Sequence, residues 1–194
     1  MSTQEVKLED IATIITGLPV QRYINKEDSV KQKIITNMSI FETDEEFEIE
    51  EENISNDIKE RFYSKKHDIL YKVQQQSFAK EITTETNAII PNSYIIIRVD
   101  KARVNPTYLT YYLNDPRVDY EIKRTIDTTR IMKVSTRILK DLKIILPDKE
   151  FQDTNAELIS KINQRMELKK KSINCDEKLI NSLYDDIIGD QYEH

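Results

Sequence analysis

The sequence predicts an α+β fold: one mixed α/β domain over residues 1–150, a long coiled-coil helix over 151–189 and a short tail over 190–194. Three observations predict it. Short apolar runs separated by turn residues fill the larger part of the chain without the regular strand-helix alternation of a parallel α/β fold. From Gln152 onward the apolar spacing changes to steps of three and four residues, and neither Pro nor Gly interrupts it before Gly189. At 194 residues the chain can hold one domain of about 150 residues with a full core, plus an appendage.

Taken in order, Lys7-Leu8-Glu9-Asp10-Ile11 reads as a short amphipathic turn leading into a strand over residues 12–16, closed by Gly17-Leu18-Pro19. Residues 33–38 read as a second strand, and the acidic stretch after them as a solvated loop or linker. Lys65-Lys66-His67-Asp68 reads as a basic turn feeding a strand with Ile69, Tyr71 and Val73 on one face. Gln74-Gln75-Gln76-Ser77 separates that strand from Phe78 to Ile82, a hairpin with an amide-rich tip. Ala88-Ile89-Ile90-Pro91 is a further apolar run, and Tyr94 to Val99 is apolar enough for burial on both faces. Asn105-Pro106 caps and starts a helix to Asn114 with Tyr108, Leu109, Tyr112 and Leu113 on one face. We read those tyrosines as packing residues. Asp115-Pro116 breaks the helix, a further turn or two follows to Thr125, Ser135 caps a short helix to Leu142, and residues 143–146 form a last strand.

The final helix carries Ile159, Ile162, Met166, Lys169, Ile173, Asp176, Ile180, Leu183 and Ile187 at the 3.5-residue spacing of a helix-helix seam. At ~1.5 Å per residue it extends roughly 55 Å, more than one domain needs for its own core. The spacing therefore predicts a partner helix, with a homodimer as the simplest source. Lys169 and Asp176 are polar seam positions of the kind that set register, and in an antiparallel pair one copy's lysine approaches the other's aspartate. The alternative is a helix lying along its own domain with both residues solvated.

Net charge is −6, but it is unevenly distributed. Residues 42–60 hold ten acidic residues and one lysine, whereas residues 61–149 hold seventeen Lys and Arg against ten Asp and Glu. The middle of the chain is basic, as expected where nucleic acid is the partner. No apolar run approaches the ~18 residues of a membrane span, and the first ten residues lack the apolar core of a signal peptide, so a cytoplasmic protein without membrane contact is expected. The single cysteine, Cys175, allows neither an internal disulfide nor a cysteine-based zinc cage.

Catalytic chemistry is poorly provided for. With only two glycines, Gly17 and Gly189, no Gly-rich loop can cradle a phosphate or wrap a nucleotide-like cofactor. Asn105-Pro106-Thr107-Tyr108 lacks the second proline of the adenine-methyltransferase Asn-Pro-Pro-Tyr motif, and a helix cap accounts for it. Two histidines, His67 and His194, assemble no triad. We read the chain as non-catalytic, with no cofactor and no metal.

What remains are the parts of a sequence reader. Gln grips adenine and Arg grips guanine through paired hydrogen bonds, while Lys neutralises phosphates. Lys65, Lys66, Lys72 and Lys80 accompany the Gln74, Gln75 and Gln76 tip, and Arg130, Lys133 and Arg137 form a second cluster before the last strand.

This order of features resembles the specificity subunits of type I restriction-modification enzymes. The resemblance rests on Lys7 to Ile11 followed by Gly17-Leu18-Pro19, on Lys66-His67-Asp68-Ile69-Leu70, on the Tyr108 to Leu113 helix, and above all on Ile144-Ile145-Leu146-Pro147 with Gln152. His67 stands where that family commonly has glycine, and histidine tolerates positive φ better than most residues. Asp148-Lys149 replaces the usual Pro-Leu, and Asp127-Thr128-Thr129 stands where a glycine-containing turn is common.

The resemblance implies a target recognition domain that binds double-stranded DNA, and adenine methyltransferase subunits as partners, sometimes with a motor-nuclease subunit. Family members carry two such domains and two antiparallel helices, so one domain and one helix correspond to half a subunit. A two-fold homodimer would restore the whole and make the target an interrupted palindrome. Two other classes fit the same residues: an interaction protein that does not read DNA, such as an inhibitor or decoy of a restriction system, and a simple dimeric DNA-binding regulator.

Overall fold

The computed structural model describes residues 3–24, 26–37, 47–73, 77–125 and 134–192. Its strands are β1 (Thr3–Lys7), β2 (Ala12–Thr16), β3 (Ser29–Asn37), β4 (Glu48–Ser55), β5 (Ile69–Lys72), β6 (Ala79–Glu81), β7 (Tyr94–Val99) and β8 (Lys143–Pro147). Its α-helices are α1 (Pro106–Leu113), α2 (Pro116–Arg124), α3 (Thr136–Asp141) and α4 (Lys149–Tyr192). Strands and helices are segregated rather than alternating, the α+β arrangement that the sequence pattern predicts. Contacts divide the chain into Met1–Asp153 and Thr154–His194. Among the described residues no helix is long and apolar enough to cross a membrane.

The first unit is built on a four-stranded antiparallel sheet in the order β2-β7-β5-β6. β7 is central because its apolar run serves both faces: Ile95 and Ile97 join Ile69, Tyr71 and Val73 on one side, while Tyr94 and Ile96 join Leu70 and Ile82 on the other. α1 and α2 each begin at the cap that their Asn-Pro and Asp-Pro pairs announce. Asn105 Oδ1 accepts from the Tyr108 N–H at 3.2 Å, and Asp115 Oδ1 from the Arg117 N–H at 2.8 Å. Ser135 Oγ caps α3 by accepting from the Ile138 N–H at 3.4 Å. Just past α1, Asn114 uses its amide as a substitute strand: Oδ1 accepts from the Ala79 N–H at 2.7 Å and Nδ2 donates to the Ala79 carbonyl at 2.8 Å. That closes part of the open edge of β6.

One strand goes beyond the sequence reading, and one expectation needs correction. Residues 3–7, to which the sequence assigns no element, form β1, paired antiparallel with β8 from Thr3 opposite Pro147 to Lys7 opposite Lys143. Only Val6 is even half-buried, so the strand shows no alternation, and its pairing spans the whole domain. The acidic stretch is not a loop throughout. Its second part, Glu48–Ser55, is β4, paired with β3. Glu48 to Asn53 are exposed on both faces, so the local pattern carries no period; the register is set by β3, with Lys33 opposite Glu51, and by buried Ile54. The first part of the run, residues 42–46, lies outside the described residues.

Ala88-Ile89-Ile90 is a fully buried connector rather than a strand. Ile89 donates to the Lys33 carbonyl at 2.7 Å and accepts from the Ile35 N–H at 3.0 Å, fastening the β3–β4 ribbon to the rest of the unit. Gly17 is required where β2 ends: a Cβ there would lie 2.2 Å from the Pro91 carbonyl oxygen.

α4 is 44 residues long, about 66 Å at ~1.5 Å per residue. Ion pairs four residues apart, Lys161 with Glu157 and Lys171 with Glu167, lie along it. Of its expected seam, Ile162, Met166, Lys169, Ile173, Asp176, Ile180, Leu183 and Ile187 are exposed and Ile159 is half-buried. Leu158, Leu168, Leu179 and Tyr184 are exposed as well.

Candidate nucleic-acid interface

The turn over residues 65–68 is held from beneath. Asp68, 3% exposed, accepts from the Lys65 N–H at 2.9 Å, and the Arg98 guanidinium grips both of its oxygens at 2.9 Å. The same guanidinium reaches the Tyr63 carbonyl at 2.6 Å. His67 takes φ 74°, the left-handed conformation that its place in the turn demands. Its Nδ1 lies 2.7 Å from Glu81 Oε1, and the other Glu81 oxygen accepts from the Thr107 hydroxyl at 2.6 Å, so β6 and the start of α1 brace the turn. Lys66 is left exposed at the tip. Lys65 is engaged by Glu60 at 2.5 Å, and that hydrogen bond holds the Glu60 carboxyl below the usual carboxylate range.

The structure divides the lysines expected around the Gln74, Gln75 and Gln76 tip. Lys65 and Lys66 precede β5, whereas residue 74 follows it. At about 3.3 Å per extended residue, β5 puts roughly 13 Å between Ile69, next to the turn, and Val73, the last described residue before the glutamines. Lys72 and Lys80 belong to the tip end. They share the sheet face of Leu70 and Tyr94, with Lys72 Nζ 5.8 Å from the Phe78 ring and Lys80 Nζ 5.4 Å from the Phe47 ring. Gln74, Gln75, Gln76, Arg130 and Lys133 lie outside the described residues. Arg137 is exposed on α3, close enough to Asp141 to assist Lys7, whose ammonium at 2.9 Å holds that carboxyl below its usual range.

The residues on either side of these undescribed stretches meet. The Val134 N–H donates to the Val73 carbonyl at 3.3 Å, and both valines are buried in the same core cluster. The chain therefore enters residues 74–76 and leaves residues 126–133 at adjoining points, at one end of the central sheet. A pocket of about 220 Å³ opens beside them, lined by Thr16, Val73, Asn92, Ile95, Val134, Ser135 and Thr136. Asn92 also borders a larger cleft of about 470 Å³ that runs past Arg22, Glu50 and Glu52. The Asn92 N–H is pinned to the Leu18 carbonyl at 2.8 Å, and the Tyr94 N–H closes the turn onto Pro91 at 3.1 Å. Sequence reasoning did not single out Thr16, Asn92 or Thr136 as site residues. The one sequence cue that could have found Asn92 is the turn chemistry of Pro91-Asn92-Ser93 between two apolar runs.

No protein-family profile matches the chain, and no curated protein matches it. Solved structures do. The HsdS subunit from Thermoanaerobacter tengcongensis superposes with a TM-score of 0.65 at 12% identity, over 99% of this chain and 50% of that one. The S subunit of a type I restriction-modification system from M. genitalium gives 0.63 at 16%, over 99% and 47%. The chain has the fold of type I S subunits. A third structure, from work on complex assembly and conformational transition of the type I restriction-modification system, gives 0.66 at 17%, over 96% and 45%. The chain thus spans about half the length of the S-subunit structures it matches. In this S-subunit fold the residues behind the sequence resemblance have visible tasks: Gly17 allows the close approach to Pro91, His67 takes the positive φ, and Gln152, 1% exposed, ties the start of α4 to β8 and α1.

Proposed function

We propose that this chain is the DNA sequence-specificity subunit of a type I restriction-modification system. It is non-catalytic, reads one half of a split duplex site with residues 1–150, and pairs through residues 151–189 with a second copy that reads the other half. Adenine methyltransferase subunits are its partners, a motor-nuclease subunit is a further one where restriction accompanies methylation, and the cytoplasm is where they meet. The observation that carries this reading is the S-subunit fold over 99% of this chain and 50% of the HsdS chain. A helix of about 66 Å is long enough to hold two reading heads on major-groove segments one or more turns apart, since a turn spans about 34 Å. Lys66, Lys72, Lys80 and Arg137 are the described cations we assign to phosphate and groove contacts, with Lys65 in part neutralised by Glu60.

The acidic strand β4, where Glu48, Glu50, Glu51 and Glu52 are all exposed, favours a second reading as an interaction protein for a basic surface. Titrating the full chain against duplex DNA at several salt concentrations separates the two. The specificity subunit binds one duplex sequence above others, with affinity that falls steeply with salt; a chain that binds no duplex supports the interaction protein.

A further inference from the structure

The pocket at the end of the central sheet is lined by Val73 and Val134, the described residues next in sequence to the amide-rich residues 74–76 and the basic residues 126–133. Its floor is apolar, made by Val73, Ile95 and Val134, all buried in the core. Its rim carries Thr16, Asn92 and Thr136, whose hydroxyl and amide groups have no protein partner among the described residues. Asn92 is exposed, but its backbone is fixed by Leu18 and its turn is backed by Gly17 against Pro91, so the amide is presented from a rigid corner. The larger cleft that Asn92 also borders carries Arg22 together with Glu50 and Glu52, whereas the smaller pocket's rim is uncharged.

In the major groove an adenine–thymine pair presents the adenine N6 donor and N7 acceptor, the thymine O4 acceptor and the thymine 5-methyl group. An asparagine amide matches the adenine edge, threonine hydroxyls match O4, and an apolar recess matches the methyl. We propose that this pocket reads one A·T base pair, with Asn92 on the adenine and Thr16 and Thr136 beside the thymine. The assignment rests on the specificity-subunit reading and names specificity-determining residues within it.

The test is selection of preferred duplexes from a randomised library by the full chain, followed by affinity measurements on the selected site and on versions with each position changed. Wild-type protein selects a site with an A·T pair at which substitution costs about tenfold or more in affinity. Asn92→Ala removes that discrimination at this one position and leaves it at the others. Asn92→Asp, which accepts but no longer donates, moves the preference there toward C·G, because aspartate accepts from the cytosine amino group. Thr16→Val and Thr136→Val each keep the shape and reduce the same discrimination. If all four folded variants select the wild-type site with the wild-type penalties, the pocket assignment is wrong while the specificity-subunit reading stands. If the wild type itself selects no site, that reading fails and takes the pocket with it.

Discussion

The Gln152 side chain is stitched to the backbone of Asn105: its Oε1 accepts from the Asn105 N–H at 2.9 Å, and its Nε2 donates to the carbonyls of Arg103 at 3.1 Å and Pro147 at 2.9 Å. Asn105 answers by capping α1 with its own Oδ1 and donating from Nδ2 to Asp153 Oδ1 at 2.7 Å. One buried amide therefore joins the end of β8, the approach to α1 and the first turn of α4.

Replacing Gln152 with Leu keeps the volume but leaves the Asn105 N–H and two carbonyls without partners. Each unsatisfied buried group costs about 1–3 kcal/mol, of which relaxation to water recovers a part. Urea unfolding of Gln152→Leu should show a loss of about 2 to 3 kcal/mol; a loss under 0.5 kcal/mol would mean that the amide is not what holds this junction.

The Arg98–Asp68 pair predicts a separate effect. Asp68 is buried, so Arg98→Met strands its carboxylate and releases the turn that carries Lys66. The expected cost is about 3 kcal/mol in urea. Amide exchange should quicken at His67, whose N–H bonds to the Ile82 carbonyl at 2.7 Å. Wild-type exchange there would count against the turn's dependence on Arg98.

Acid should spare the start of α2 longer than an ordinary aspartate cap. The Arg117 side chain and backbone, bonded to the Asp115 carboxylate, hold its pKa down to about 2. The folded pKa lies below the usual value of 3.8, so the cap's contribution is present above that value and is lost as pH falls through about 2. A carbon NMR titration should place the Asp115 midpoint near 2 and move it upward in Arg117→Met. A wild-type midpoint close to the usual value would contradict the hydrogen-bonded geometry.

Much of this fold was legible because its elements announce themselves locally. Asn105-Pro106, Asp115-Pro116 and Ser135 mark three helix starts, and the odd-numbered side chains of β5 and both faces of β7 follow from periodicity. What stayed hidden is non-local. β1 and β4 hold their places through pairing with β8 and β3, while most of their side chains face water. The site was legible only as composition. Lys65 and Lys66 sit close in sequence to Gln74, Gln75 and Gln76, yet a strand separates them. Thr16, Asn92 and Thr136 lie far apart in sequence and are gathered by the sheet.

The exposed row Ile162, Met166, Ile173, Ile180, Leu183 and Ile187 predicts self-association through α4. Ile173→Asp combined with Leu183→Asp should convert a dimer into a folded monomer by light scattering, with the circular dichroism of the domain retained. A double variant that still reports a dimer would point to another interface.

The most direct measurement is to express the chain with a candidate adenine methyltransferase subunit and map every methylated adenine in the host DNA. The account predicts methylation confined to an interrupted palindrome and absent when either protein is omitted. Methylation at a continuous or asymmetric site, or the same pattern without this chain, would contradict it.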